Sequence, residues 1–212
     1  MASRVPSLVV SGIPVVEHSC SILGKCYSAA VSAIRGGSRA RTRQAILDAA
    51  IQVLARNPAA PLGDVATAAD VGRTTLHRYF AERDDLLHAL REEVGRRLGE
   101  ARDRARLGDD SGASALHRLC QEYFDLGDVL SLLFREQVVF DDEGAFDDHF
   151  QAMVRRGYAD GSIDPQLPPI WLQSLMWSQL YAGWRYTGEC QVSPHEALRL
   201  ILRCVDGAVT PR

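Results

Sequence analysis

The stretch that most constrains this chain runs from Leu62 to Leu87, LGDVATAADVGRTTLHRYFAERDDLL. Val65, Ala66 and Ala69 give a first helix its apolar stripe, Val71 anchors a turn, and Leu76, Tyr79 and Phe80 are spaced to seat a second helix. The spacing predicts a helix-turn-helix. Between the buried positions of the second helix lie Arg73, Thr74, Thr75, His77 and Arg78, all able to meet phosphate oxygens or base edges and none acidic. A helix exposed merely for solubility would mix both signs.

The run D-V-A-x-A-A-D-V-G-R-x-T-L-H-R-Y-F-x-x-R-D-x-L-L resembles the DNA-binding signature of TetR-type transcriptional regulators, and a looser resemblance extends over about residues 39 to 208. It implies an all-α fold of about nine helices and a homodimer reading an inverted repeat, with two recognition helices roughly 34 Å apart in successive major grooves. Five positions depart from the pattern. Asp70 stands where the family has the turn glycine, and aspartate visits the left-handed region more easily than most residues, at about 1 kcal/mol. Gly72 replaces the capping serine, and Pro61 falls near the usual threonine before the first helix of the motif. His77 replaces a tyrosine that touches phosphate, which would make that contact sensitive to pH near neutrality. Arg83 stands where the family has a phosphate-contacting lysine. The expected DNA contacts are Arg73, Thr74 and Thr75 for base readout and His77, Arg78, Tyr79 and Arg83 for the backbone. Arg41 and Arg43, at the start of the preceding helix, complete the set.

Charge is distributed to match. Residues 35 to 107 hold 14 arginines and 10 carboxylates, a surplus of four positive charges, although the whole chain carries −3. A basic front and an acidic remainder suit a protein that presents one end to nucleic acid. The five cysteines show no C-x-x-C pairing and read as reduced thiols of a cytoplasmic protein. No apolar run approaches the roughly 20 residues that span a bilayer.

Residues 1–38 offer little pattern and are expected to be a disordered extension. A helix over Arg39 to Arg56 begins the DNA-binding domain, residues 39–82; a connecting helix continues over 83–107. The resemblance implies that residues 108–212 form a helical domain for ligand binding and dimerisation. Amphipathic helices are expected over Ala113–Gly127, Asp128–Val138 and Glu143–Ala159.

From Pro168 to Thr187 the chain is rich in aromatics. Trp177, Tyr181 and Trp184 lie on one side of a helix, and Trp171, Leu175, Ala182 and Tyr186 on another. A helix apolar on two sides must be covered twice. The first side is a candidate effector pocket, completed by Phe124, Phe150 and Met153 with His117 or Gln173 as its polar element; such a pocket favours a flat or greasy molecule. The resemblance implies that the second side pairs with Leu198, Ile201, Leu202 and Val205 of the last helix in a four-helix dimer interface. The acidic cluster Asp141, Asp142, Glu143, Asp147 and Asp148 beside His149 reads as a solvated helix start rather than a metal site. No cofactor motif, nucleophile–base pair or phosphate loop stands out. The reading is a DNA-binding repressor released by a small molecule. A ligand-independent regulator or activator is the main rival, and a helical-bundle enzyme a distant one.

Overall fold

The computed structural model describes residues 19–135 and 148–211, with side chains from residue 37 onward. Among the described residues there are nine helices and no strand: α1 Ser19–Arg56, α2 Leu62–Ala68, α3 Arg73–Tyr79, α4 Arg83–Ala105, α5 Gly112–Phe124, α6 Asp128–Phe134, α7 Asp148–Ala159, α8 Pro169–Cys190 and α9 Pro194–Val209. The all-α expectation holds. The backbone of α1, however, is helical from Ser19, where the sequence pattern predicts an irregular extension. No proline interrupts the chain between Pro14 and Pro58, so nothing in that span forbids a helix. The described residues divide into two units at the Arg43–Gln44 boundary, and the second contains both hydrophobic cores.

In the first half of this second unit, Ile46, Leu47, Ala50, Ile51 and Leu54 of α1 pack with Val65 and Ala66 of α2, Leu76 of α3, Phe80, and Leu86, Leu90 and Val94 of α4. Polar groups lock α1 to α4. Glu93, 6% exposed, accepts hydrogen bonds from Gln44 (2.9 Å), Arg96 (2.6 Å) and Arg97 (2.8 Å), while Arg97 also pairs with Asp48. Burial works to raise the Glu93 pKa, yet the three donors together outweigh it and bring it down to about 2.

The second half is built on α5, which packs against α4, α7, α8 and α9. Its core joins Leu116, Leu119, Cys120, Met153, Val154, Ile163, Leu172, Met176, Leu180, Ile201 and Val205. Two glycines set its closest approach. A Cβ on Gly112 would stand 2.4 Å from the Gly157 Cα, and one on Gly157 would stand 2.5 Å from the Ile163 side chain. The loop after α4 is stapled by arginines. Arg118 donates to the carbonyls of Ala105, Arg106 and Asp109, and Arg156 to those of Leu107 and Asp110. Helix α6 belongs to both halves: Val129 and Leu132 complete the first core, while Leu130 lies in the second.

Substitutions at three positions test this packing. Gly112→Ala forces a methyl into the α7 backbone and should cost about 2 to 3 kcal/mol in urea unfolding. Gly99→Ala, in open space on α4, should instead gain up to about 1 kcal/mol. The low Glu93 pKa contributes about 3 kcal/mol that is complete above pH 4.5 and drains away as pH falls toward 2. Glu93→Gln should therefore unfold more readily at neutral pH and show a flatter stability profile over that acid range.

Candidate nucleic-acid interface and effector site

The turn between α2 and α3 is made as expected. Asp70 takes φ +54°, in the left-handed region, and the Val71 N–H returns to the Ala66 carbonyl at 2.9 Å. Neither Pro61 before α2 nor Gly72 before α3 supplies a side-chain cap, so the motif rests on the burial of Val65, Leu76 and Phe80. The opposite face of α3 leaves Arg73, Thr74, His77 and Arg78 exposed, with Thr75 and Tyr79 half-buried. The ring of Tyr79 carries the Arg78 guanidinium 5.9 Å from its centroid.

Two expected backbone contacts are occupied differently. His77 Nδ1 lies 3.1 Å from the Ala81 carbonyl oxygen. A carbonyl can only accept, so Nδ1 carries the proton and the neutral ring offers Nε2 as an acceptor; His77 can donate to a phosphate only as imidazolium. The family pattern has Arg83 reaching phosphate directly. Its guanidinium instead donates to the Ala60 and Pro58 carbonyls, both at 2.7 Å, and ties the start of α4 to the loop before α2. Carbonyls without helical partners in that loop draw the cation inward. Arg41, whose Nε donates to the Gly37 carbonyl, and Arg43 belong to the unit that ends at Arg43.

The aromatics of α8 gather with partners from α5 and α6. Tyr123 stacks on Trp177 at 5.3 Å between centroids, and Phe134 meets Trp177, Tyr181 and Trp184 at 6.4, 5.2 and 5.6 Å. Trp184 Nε1 donates to Ser131 Oγ at 2.8 Å. Guanidinium groups lie against two of these rings, Arg135 on Trp184 and Arg185 on Tyr181. Sequence reasoning misses Tyr123, Ser131, Phe134 and Arg135, which read as ordinary positions of amphipathic helices.

Other expected pocket residues serve the core. Phe124, Phe150 and Met153 are buried among α5, α7 and α8, and Gln173 is half-buried one turn before Trp177. His117 Nε2 lies 2.6 Å from an Asp206 carboxylate oxygen without hydrogen-bond alignment, so its partner is within the chain. The expected dimer residues divide. Trp171 is 60% and Tyr186 37% exposed, and Ala182 is exposed, while Leu175, Leu198 and Leu202 are half-buried against the core. Ile201 and Val205 are corrected: they are buried within the chain, Ile201 filling the notch left by Gly183. Of the acidic cluster, residues 141–147 lie outside the described residues; Asp148 and His149 are exposed.

Residues 46–90 match the family model described as bacterial regulatory proteins, tetR family. The HTH-type transcriptional repressor LfrR of Mycolicibacterium smegmatis is 40% identical over 154 residues, covering 71% of this chain and 82% of the relative. The chain belongs to the TetR family. It is a helix-turn-helix transcriptional regulator homologous to a repressor. The crystal structure of LfrR from Mycobacterium smegmatis in complex with proflavine superposes with a TM-score of 0.66 at 34% identity, covering 82% of this chain and 99% of that one. A TetR-family regulator from Rhodococcus sp., at 20% identity and TM-score 0.61, covers 79% of this chain and 98% of its own, and shares the fold. No helix among the described residues is long and apolar enough to cross a membrane.

Because Arg83 holds two loop carbonyls, Arg83→Ala should lower the unfolding free energy by about 2 kcal/mol in urea titration. An arginine that served phosphate alone would leave stability unchanged.

Proposed function

We propose that this protein is a cytoplasmic, homodimeric repressor that holds an inverted-repeat operator through two copies of α3 and is released by a planar aromatic molecule bound at the Tyr123–Phe134–Trp177–Tyr181–Trp184 cluster. The observation that carries the reading is the placement of α6. Val129 and Leu132 sit in the core that seats α2 and α3, while Ser131 and Phe134 of the same seven residues bond and pack with the aromatics of α8. A ligand that separates Phe134 from Trp184 displaces α6 and with it a wall of the DNA-binding core. Binding and release are then coupled by the differential contacts of one element.

The chemistry of the cluster favours a planar cation. Its rings already attract guanidinium groups through their negative faces, and such faces accept any flat cation that displaces Arg135. Proflavine, the ligand of the LfrR complex, is such a molecule. The exposed Trp171, Ala182 and Tyr186 of α8 provide the apolar surface for a second subunit, with Leu198 and Leu202 of α9 at its margin. Nothing in this arrangement requires turnover of the ligand, and we assign no enzymatic activity.

The test is a titration of the protein against DNA flanking its own gene, with scrambled DNA as competitor and proflavine added to the complex. The wild type should bind tightly, lose DNA as proflavine rises, and show quenched tryptophan fluorescence over the same range. Trp177→Leu, which removes the Tyr123 stack and leaves the Trp184 contacts to α6 in place, should keep operator affinity while requiring about tenfold more proflavine, about 1.4 kcal/mol of lost stacking energy. Proflavine binding at the cluster with no loss of DNA would favour a ligand-independent regulator or an activator.

A further inference from the structure

Gly63 lies in the first turn of α2, where an alanine would serve the helix better. What the missing side chain admits is Arg73, the first residue of α3. A Cβ built on Gly63 would stand 3.1, 3.2 and 3.3 Å from Nη2, Nε and Cζ of Arg73. Nη2 and Nε are nearer than Cζ, so the guanidinium rests obliquely on the glycine with its Nε–Nη2 edge toward α2. The side chain is therefore turned back across α2 instead of projecting from α3 toward the floor of a groove. In helix-turn-helix complexes the first helix of the motif crosses the sugar–phosphate backbone while the second enters the major groove. A guanidinium resting on α2 stands at that crossing.

We propose that Arg73 is a ligand for a DNA backbone phosphate, in place of the base-reading role its position in the recognition helix suggests, and that Gly63 is the residue that positions it. Two further observations support the assignment. Among the described residues no hydrogen bond or ion pair engages the Arg73 N–H groups, so they stay available for an anion. The guanidinium also lines a concave surface formed by Pro61, Leu62, Gly63, Arg73, Leu76 and His77. No carboxylate lines that cleft. Its apolar floor gives no hydrogen-bond partner to a base edge, whereas Arg73 and His77, one turn apart on α3, bracket it with polar nitrogens. Arg83, engaged by loop carbonyls, leaves the backbone contact at this end of the motif to them.

The experiment measures binding of the full chain to a scrambled duplex of about 30 base pairs and to its flanking-gene operator over a series of salt concentrations. The variants are Gly63→Ala, Arg73→Ala and the double substitution. Arg73→Ala should weaken both duplexes by the same factor, about tenfold, and reduce the slope of log K against log salt by about one. Gly63→Ala should weaken both about threefold without lowering the thermal midpoint, since alanine is the better helix former and only the guanidinium must move. In the Arg73→Ala background Gly63→Ala should change nothing. Loss confined to discrimination between the two duplexes in Arg73→Ala would make Arg73 a base reader and overturn the proposal. An equal effect of Gly63→Ala with and without Arg73 would overturn the positioning role. Arg73 is exposed, so its substitution reads DNA contact without disturbing the fold.

Discussion

A seven-residue helix with two buried sides holds the DNA-reading and aromatic halves of this protein together. Helix α6 is too short to be stable alone, so its helicity is a product of the two cores it enters. Val129 and Leu132 are buried in the first and Leu130 in the second, and the exchange of either environment for water would cost on the order of 1.5 to 3 kcal/mol per side chain. The element cannot move relative to one core without changing its fit to the other. That constraint gives the fold a physical route between an aromatic cluster on α8 and a recognition helix in a separate core.

The other connection between the halves is α4, and it is fastened unequally along its length. At its C-terminal end the chain turns through Arg106 in the left-handed region, into carbonyls bonded by Arg118 and Arg156. In its middle the buried Glu93 gathers Gln44, Arg96 and Arg97, so that parting α1 from α4 would strand a carboxylate in a nearly dry site. At its N-terminal end the hold is a capping box between Glu82 and Asp85 and the two bonds from Arg83. A displacement arriving from α6 meets stiff joints at the far end and middle of α4, and its first turn can shift only together with the loop and helices that Arg83 and the first core attach to it.

Much of this was legible in the letters. Helix number, the helix-turn-helix and the left-handed Asp70 follow from periodicity and turn chemistry, which are local properties. The errors share a different origin. Apolar spacing shows that Ile201 and Val205 must be covered but not by what, and the cover proved to lie in the same chain, for Ile201 in the notch at Gly183 of α8. The hold of Arg83 on the loop before α2 was not foreseen, because its partners there are backbone carbonyls, which no residue letter announces. Tyr123, Ser131 and Phe134 join the aromatic cluster through juxtaposition of three helices, and no spacing within any one of them signals it. Trp177, Tyr181 and Trp184 could be anticipated because one helix presents all three on one side.

The motif also departs from its family where local rules are weakest, and the structure accounts for how it still forms. Both motif helices begin without a side-chain cap, and α2 carries a glycine in its first turn. Each feature alone would fray a seven-residue helix in water. Here the helices are specified by what they bury, since Val65, Ala66 and Leu76 are at most 2% exposed, and by the Arg83 clamp on the loop that feeds α2. A recognition surface stabilised mainly from behind leaves its outward residues free of structural duty. Arg73 can then rest against Gly63 and His77 turn to Ala81 without loss to the fold, and the polar face of the motif is open to selection for DNA contacts.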